Sequence, residues 1–160
     1  MIPFKIIDVK EGIMNTRILL VDDEVEFVDT LAERLRNRNF HVTKAFDGNS
    51  ALEKLKEFNF DIMILDVQMP GTSGIDVLKT VKKLKPLTEV LMLTGHGTVE
   101  TAIEGMRQGA FDFLLKPCKI DMLLKKISNA CQRKSEQEER IQKAMVEKLS
   151  TSPMSVFDHL

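Results

Sequence analysis

Short apolar runs alternate along the chain with longer stretches in which apolar residues recur every three or four positions. The runs are RILLV at 17–21, HVTKA at 41–45, DIMIL at 61–65, EVLML at 89–93 and FDFLL at 111–115. Four are near-continuously apolar, as strands buried on both faces are, whereas HVTKA alternates like a half-exposed strand. Between the runs, the spacing predicts helices. Val25, Val28, Leu31, Ala32 and Leu35 share one face of residues 24–38, and Ala51, Leu52, Leu55 and Phe58 make the next stripe. Val77, Leu78, Val81 and Leu84 form a third, stopped by Pro86, and Val99, Ala102, Ile103 and Met106 a fourth, ended by Gly109. DGNS at 47–50 reads as turn and cap, and MPGTSG at 69–74 as a loop of turn formers. A fifth helix-compatible stretch begins near residue 119.

Five β–α units in about 115 residues predict an α/β fold. Right-handed crossovers favour a doubly wound (βα)5 open parallel sheet in the flavodoxin-like order 2-1-3-4-5. Composition adds bounds. The 160 residues are 43% hydrophobic and 29% charged, enough for a core and a water-facing surface. With 23 basic and 24 acidic side chains the formal net charge is −1, so no global field argues for nucleic acid or membrane. Cys118 and Cys131 lack metal-ligand spacing or a secreted disulfide pattern, and His41, His96 and His159 are scattered. No apolar run approaches the roughly 18 residues of a transmembrane helix, and no signal peptide is evident. A soluble cytoplasmic chain is expected.

In open parallel sheets ligands bind beyond the carboxyl ends of the strands. Asp22 and Asp23 follow the first strand, Asp66 the third, Thr94 and Gly95 the fourth, and Lys116 and Pro117 the fifth. Singly these are ordinary: a cap, a turn residue, a solvated flank. Together they place three carboxylates, a hydroxyl and an amine on one rim. Two unit charges about 5 Å apart at an effective dielectric of ~20 repel by on the order of 3 kcal/mol. Such a cluster protonates or recruits a cation, and its all-oxygen donor set suits Mg²⁺. A carboxylate facing that ion can attack phosphorus, while Lys116 and Thr94 neutralise and hydrogen-bond phosphoryl oxygens.

The motifs VDDE, ILDVQMPGTSG, LTGHG and FDFLLKP, in this order, resemble the receiver domain of two-component response regulators, over residues 16 to about 130. The resemblance implies that Asp66 is the phosphoacceptor, taking phosphate from a sensor histidine kinase or phosphotransfer protein. It implies Mg²⁺ held by Asp23, Asp66 and the Gln68 backbone carbonyl, with Asp22 acting through water. Thr94 and Lys116 would sense the phosphate, Phe113 would be the aromatic switch residue, and Lys116-Pro117 matches a bond that is cis in many members. Phosphorylation would reshape the face of helix 4, strand 5 and helix 5, a surface through which a homodimer could form. Direct nucleic-acid binding and membrane insertion are not expected. TGHGT and the long last helix look like receivers that precede ATPase modules in NtrC-type activators, although no glycine-rich nucleotide loop or helix-turn-helix follows here. The competing enzyme reading is a Mg²⁺-dependent phosphohydrolase; it lacks a second acid beside Asp66, where Gln68 stands.

Gln68 and His96 sit two beyond Asp66 and Thr94 and read as gatekeepers on the path of a hydrolytic water. Neither is an acid, so a slowly hydrolysed phosphoryl group is expected. Phe111 and Phe113, two apart, would share a face of a regular strand. Most of the nine methionines read as core filler, and Met106 draws notice on the helix of the output face.

Residues 1–15 contribute no expected element and read as a flexible extension. Lys10-Glu11-Gly12 resembles a translated ribosome-binding site, so translation is expected to begin at Met14. The receiver should occupy 16–132. Residues 133–160 should form a helical extension and disordered tail, the extension a solvated helix more than a coiled coil because the heptad pattern fails across 132–140.

Overall fold

The computed structural model describes residues 15–95 and 98–151. Arg17–Val21 (β1), His41–Ala45 (β2), Ile62–Leu65 (β3), Glu89–Thr94 (β6) and Asp112–Leu115 (β7) form one parallel sheet in the order β2-β1-β3-β6-β7. Counted among themselves, these five strands have the order 2-1-3-4-5. Val21 pairs with both Ala45 and Leu65, Leu65 with Met92, and Thr94 with Leu115. The carboxyl ends therefore line up on one rim.

Alternate strand residues feed two cores. Ile18, Leu20, Ile64, Leu91 and Leu93 meet α1 (Val25–Arg36) and α5 (Ile120–Thr151) through Leu31, Leu35, Leu123 and Ile127. Leu19, Val21, Met63, Leu65 and Met92 meet α2 (Gly48–Glu57) and α3 (Gly74–Leu84) through Leu55, Val77, Leu78 and Val81. Wholly buried side chains such as Ile64 and Leu91 each contribute about 1.5–3 kcal/mol by leaving water. α2 is capped by Asp47, whose carboxylate accepts from the Ser50 N–H.

Three expectations change. The MPGTSG segment is not only a loop. Gln68–Met69 (β4) and Thr72–Ser73 (β5) pair antiparallel around Gly71, whose φ of +83° favours glycine. Strands of two residues leave no period to read.

The stripe on α4 (Val99–Arg107) faces outward. Val99, Ile103 and Met106 are exposed, and the helix docks through buried Gly105, where a Cβ would stand 2.5 Å from Met92 Sδ. Periodicity identifies an apolar face but not what covers it. Val25 and Phe58, at the ends of their helices, are likewise exposed.

Phe111 and Phe113 pack on opposite faces. β7 begins at Asp112, so Phe111 lies outside the regular strand and joins the α1/α5 core, while Phe113 joins the other. The last helix runs unbroken to Thr151, and from Glu138 to Ser150 every residue is exposed. The expectations for residues 1–14, for His96 and for the tail after Pro153 lie outside the described residues.

Candidate phosphoryl-transfer site

Two strand ends build the acidic rim by the same local device. The Asp22 N–H donates to the Ala45 carbonyl (3.2 Å) and the Asp66 N–H to the Val21 carbonyl (3.0 Å), carrying the ladder one residue past β1 and β3. Each carboxylate then accepts from the main chain two residues on: Asp22 Oδ1 from the Glu24 N–H (3.0 Å) and Asp66 Oδ1 from the Gln68 N–H (3.2 Å). Such local bonds hold a short acidic side chain in one orientation. Asp22 and Asp66 are 2% and 5% exposed, and Asp23 is open to solvent. Carboxylate oxygens of all three lie within 4.8 Å of one another.

Gly74 lets α3 approach this rim. A Cβ there would lie 2.4 Å from the Asp66 carbonyl oxygen and 2.6 Å from Val67 Cα, and the Gly74 N–H donates to the Val67 carbonyl at 2.9 Å. The glycine is required by close approach, not by a turn.

Lys116 leans in from the end of β7. Its N–H donates to the Thr94 carbonyl (2.8 Å), and the Lys116-Pro117 bond is cis. Its Nζ is 2.5 Å from Asp22 Oδ2, 3.6 Å from Asp66 Oδ2 and 3.7 Å from Glu24 Oε1. The same nitrogen lies over the Phe27 ring, 4.2 Å from its centroid. Burial pushes the Asp22 carboxyl above the usual carboxylate range despite the Lys116 amine and the Glu24 N–H, which pull it down. Burial would lower the Lys116 amine, but its hydrogen bond to Asp22 and the charges of Asp22, Asp66 and Glu24 together raise it. The ion pair therefore favours the charged amine more than it relieves the desolvated acid.

Thr94 is fully buried at the end of β6, beside β3 in the sheet. Gln68 is exposed on β4, and Phe113 is half-buried opposite Met92. The structure thus gathers Asp22, Asp23, Asp66 and Lys116 and sets Thr94 on the adjoining strand end. Three neighbours escaped the sequence reading. Glu24 precedes a helix, where an acid is ordinary, and Phe27 lies off the stripe of Val25, Val28, Leu31, Ala32 and Leu35. Gly74 had a signal, as the last residue of a turn-former run, but that run reads as a loop.

Residues 18–128 match the model of the response regulator receiver domain. The chain belongs to the receiver domain family. This receiver domain is 40% identical over 109 residues to the transcriptional regulatory protein ZraR of Escherichia coli K12, a match covering 68% of the chain and 25% of ZraR. It spans about a quarter of the length of the ZraR regulators it matches. Among solved structures it resembles a CheY-like receiver domain protein from Methanospirillum hungatei, with a TM-score of 0.74 and 26% identity, covering 76% of this chain and 98% of that one. It also resembles the beryllofluoride-activated NtrC4 receiver domain dimer, with a TM-score of 0.70 and 34% identity, covering 74% and 98% of the two chains. Receiver domains are phosphoacceptor switches of two-component signalling. Among the described residues, no helix is long and apolar enough to cross a membrane.

Proposed function

We propose that Asp66 is the phosphoacceptor of this receiver, charged by a sensor histidine kinase or phosphotransfer protein in a Mg²⁺-dependent reaction. One observation carries the assignment. Asp66 is a buried carboxylate closing the central strand of the sheet, within 4.8 Å of the acid cluster and 3.6 Å from the Lys116 amine, whereas Asp22, buried beside it, is already held by that amine at 2.5 Å. Asp23 is the more exposed acid of the cluster and suits direct metal ligation.

The donor set fits the ion: three carboxylates, all hard oxygen, without sulfur or imidazole. Asp22, Asp23 and Asp66, with the Gln68 carbonyl, would hold it. Bound there, Mg²⁺ would neutralise charge on the phosphoryl oxygens. The chain's own groups do the rest. An Asp66 carboxylate oxygen attacks phosphorus, an O–P bond forms, and the bond to the donor breaks with its electron pair leaving on the donor. Lys116 meets the new charge from one side, and the Thr94 hydroxyl donates to a second oxygen. Gln68, exposed beside the nucleophile, would screen it against hydrolytic water.

The output surface in this reading is α4, β7 and the start of α5. Val99, Ile103, Met106, Leu115 and Met122 are exposed on these elements, and large apolar side chains left open to water favour a partner. The likeness to the NtrC4 dimer supports a second copy as that partner. The match to a quarter of ZraR supports an output of the NtrC-type activator class. The assignment is tested by incubating the parent and Asp66→Asn with acetyl phosphate, with and without Mg²⁺. Acid-stable phosphate should appear on the parent in Mg²⁺ alone. Equal labelling of Asp66→Asn overturns it.

A further inference from the structure

We infer that Phe27 is a positioning residue for phosphoryl transfer, its ring face holding the Lys116 ammonium at the rim. This rests on Asp66 as phosphoacceptor and adds a residue the receiver motif does not supply.

The Lys116 amine has two kinds of partner. Three are carboxylates, Asp22, Asp66 and Glu24, at 2.5, 3.6 and 3.7 Å. The fourth is the Phe27 ring, 4.2 Å from nitrogen to centroid, well inside the range over which an ammonium is attracted to an aromatic face. The two kinds behave differently once a divalent cation enters. Asp22 and Asp66 are also members of the metal cluster, so ion and amine compete for their oxygens. A ring face is no ligand for a hard cation. Phe27 can therefore keep the ammonium in place while Asp22 and Asp66 turn to the metal and the incoming phosphorus.

Phe27, Leu31, Lys116, Pro117, Cys118 and Leu123 border a cavity of about 200 Å³, so there is space beside the contact. The ring itself is anchored. Phe27 lies in the first turns of α1 and packs on the α1/α5 core, which includes Leu31 and Leu123. A fixed ring beside open space suits an amine that must shift from Asp22 toward a phosphoryl oxygen without leaving the rim.

The experiment replaces Phe27 in the full chain by mono-, di- and trifluorophenylalanine. Fluorination weakens the face potential stepwise and nearly preserves ring size and apolarity. The readout is the initial rate of Asp66 phosphorylation by acetyl phosphate at saturating Mg²⁺, with a thermal melt of each chain. The rate should fall stepwise, by roughly three- to tenfold at the trifluoro ring, while the melts coincide. In a Lys116→Met background the same fluorination should leave the slower residual rate unchanged. Fluorinated chains that label at the parental rate make Phe27 a packing residue and overturn the inference, with Asp66 as phosphoacceptor intact. Equal losses with and without Lys116 overturn it as well. A parent that takes no phosphoryl group sinks both readings.

Discussion

The Lys116 amine is tied to Asp22 at 2.5 Å, closer than to Asp66 at 3.6 Å. In the unmodified protein the amine thus sits closer to Asp22 than to the proposed phosphoacceptor. In the proposed function, a phosphoryl group on Asp66 would offer it a stronger acceptor, and that exchange would couple chemistry to shape. Lys116→Ala should still accept phosphate from acetyl phosphate, more slowly, but without conformational change. Amide exchange across α4, compared before and after labelling, reads this. Parental changes in the variant would remove Lys116 from the switch.

Asp23 is the exposed member of the acid cluster, so solvent screens its repulsion. Asp23→Asn should raise metal-free stability by less than about 0.5 kcal/mol, well below the unscreened Coulomb figure. It should weaken Mg²⁺ binding about tenfold or more, since an amide oxygen carries no charge. Urea melts with and without metal check both, and unchanged Mg²⁺ affinity would take Asp23 out of the ligand set.

Gly74→Ala should be among the costliest small changes in the chain. Its methyl would stand 2.4 Å from the Asp66 carbonyl oxygen, which is backbone and cannot swing away. Relief requires moving α3 or the nucleophile, at about 1–3 kcal/mol. A lower urea midpoint and a slower labelling rate are expected together. A variant with parental values of both would show that α3 has slack here.

The sheet and the rim were legible in the sequence because buried parallel strands are short apolar runs and the fold exposes their ends. Asp22, Asp66, Thr94 and Lys116 each follow or close such a run, so one topology placed them together. What escaped depends on approach between elements. Gly105 against Met92 turned the α4 stripe outward, and Phe111 left the face of Phe113 because β7 starts one residue later. Phe27 carries no motif; its role lies in a contact spanning α1 and β7. Glu89, at the start of a run read as apolar, is 1% exposed, with Arg133 Nε 3.8 Å away.

The same rear end of the sheet anchors the last helix. Lys134 Nζ is 3.1 Å from Asp61 Oδ1 and also pairs with Glu138. Burial would lower this amine, but Glu138 and Asp61 outweigh it and hold it above its ordinary 10.5. A folded pKa raised in this way contributes stability that is complete below the unfolded value and lost as pH rises through the folded one. Parent and Lys134→Met should therefore differ by up to about 1 kcal/mol at neutral pH. The gap should hold to about pH 10 and close above 10.5. Melts across that range test it, and a gap that widens with pH would contradict the pairing.

In the proposed function one carboxylate, Asp66, carries the phosphoryl group, and borohydride trapping reads which carboxylate it is. Hydride reduces an aspartyl phosphate to homoserine at the modified position only, so peptide mass spectrometry after labelling with acetyl phosphate in Mg²⁺ reads the site. Homoserine is expected at position 66, with aspartate retained at 22 and 23. Homoserine at either of those positions, or at none of the three, would contradict the assignment.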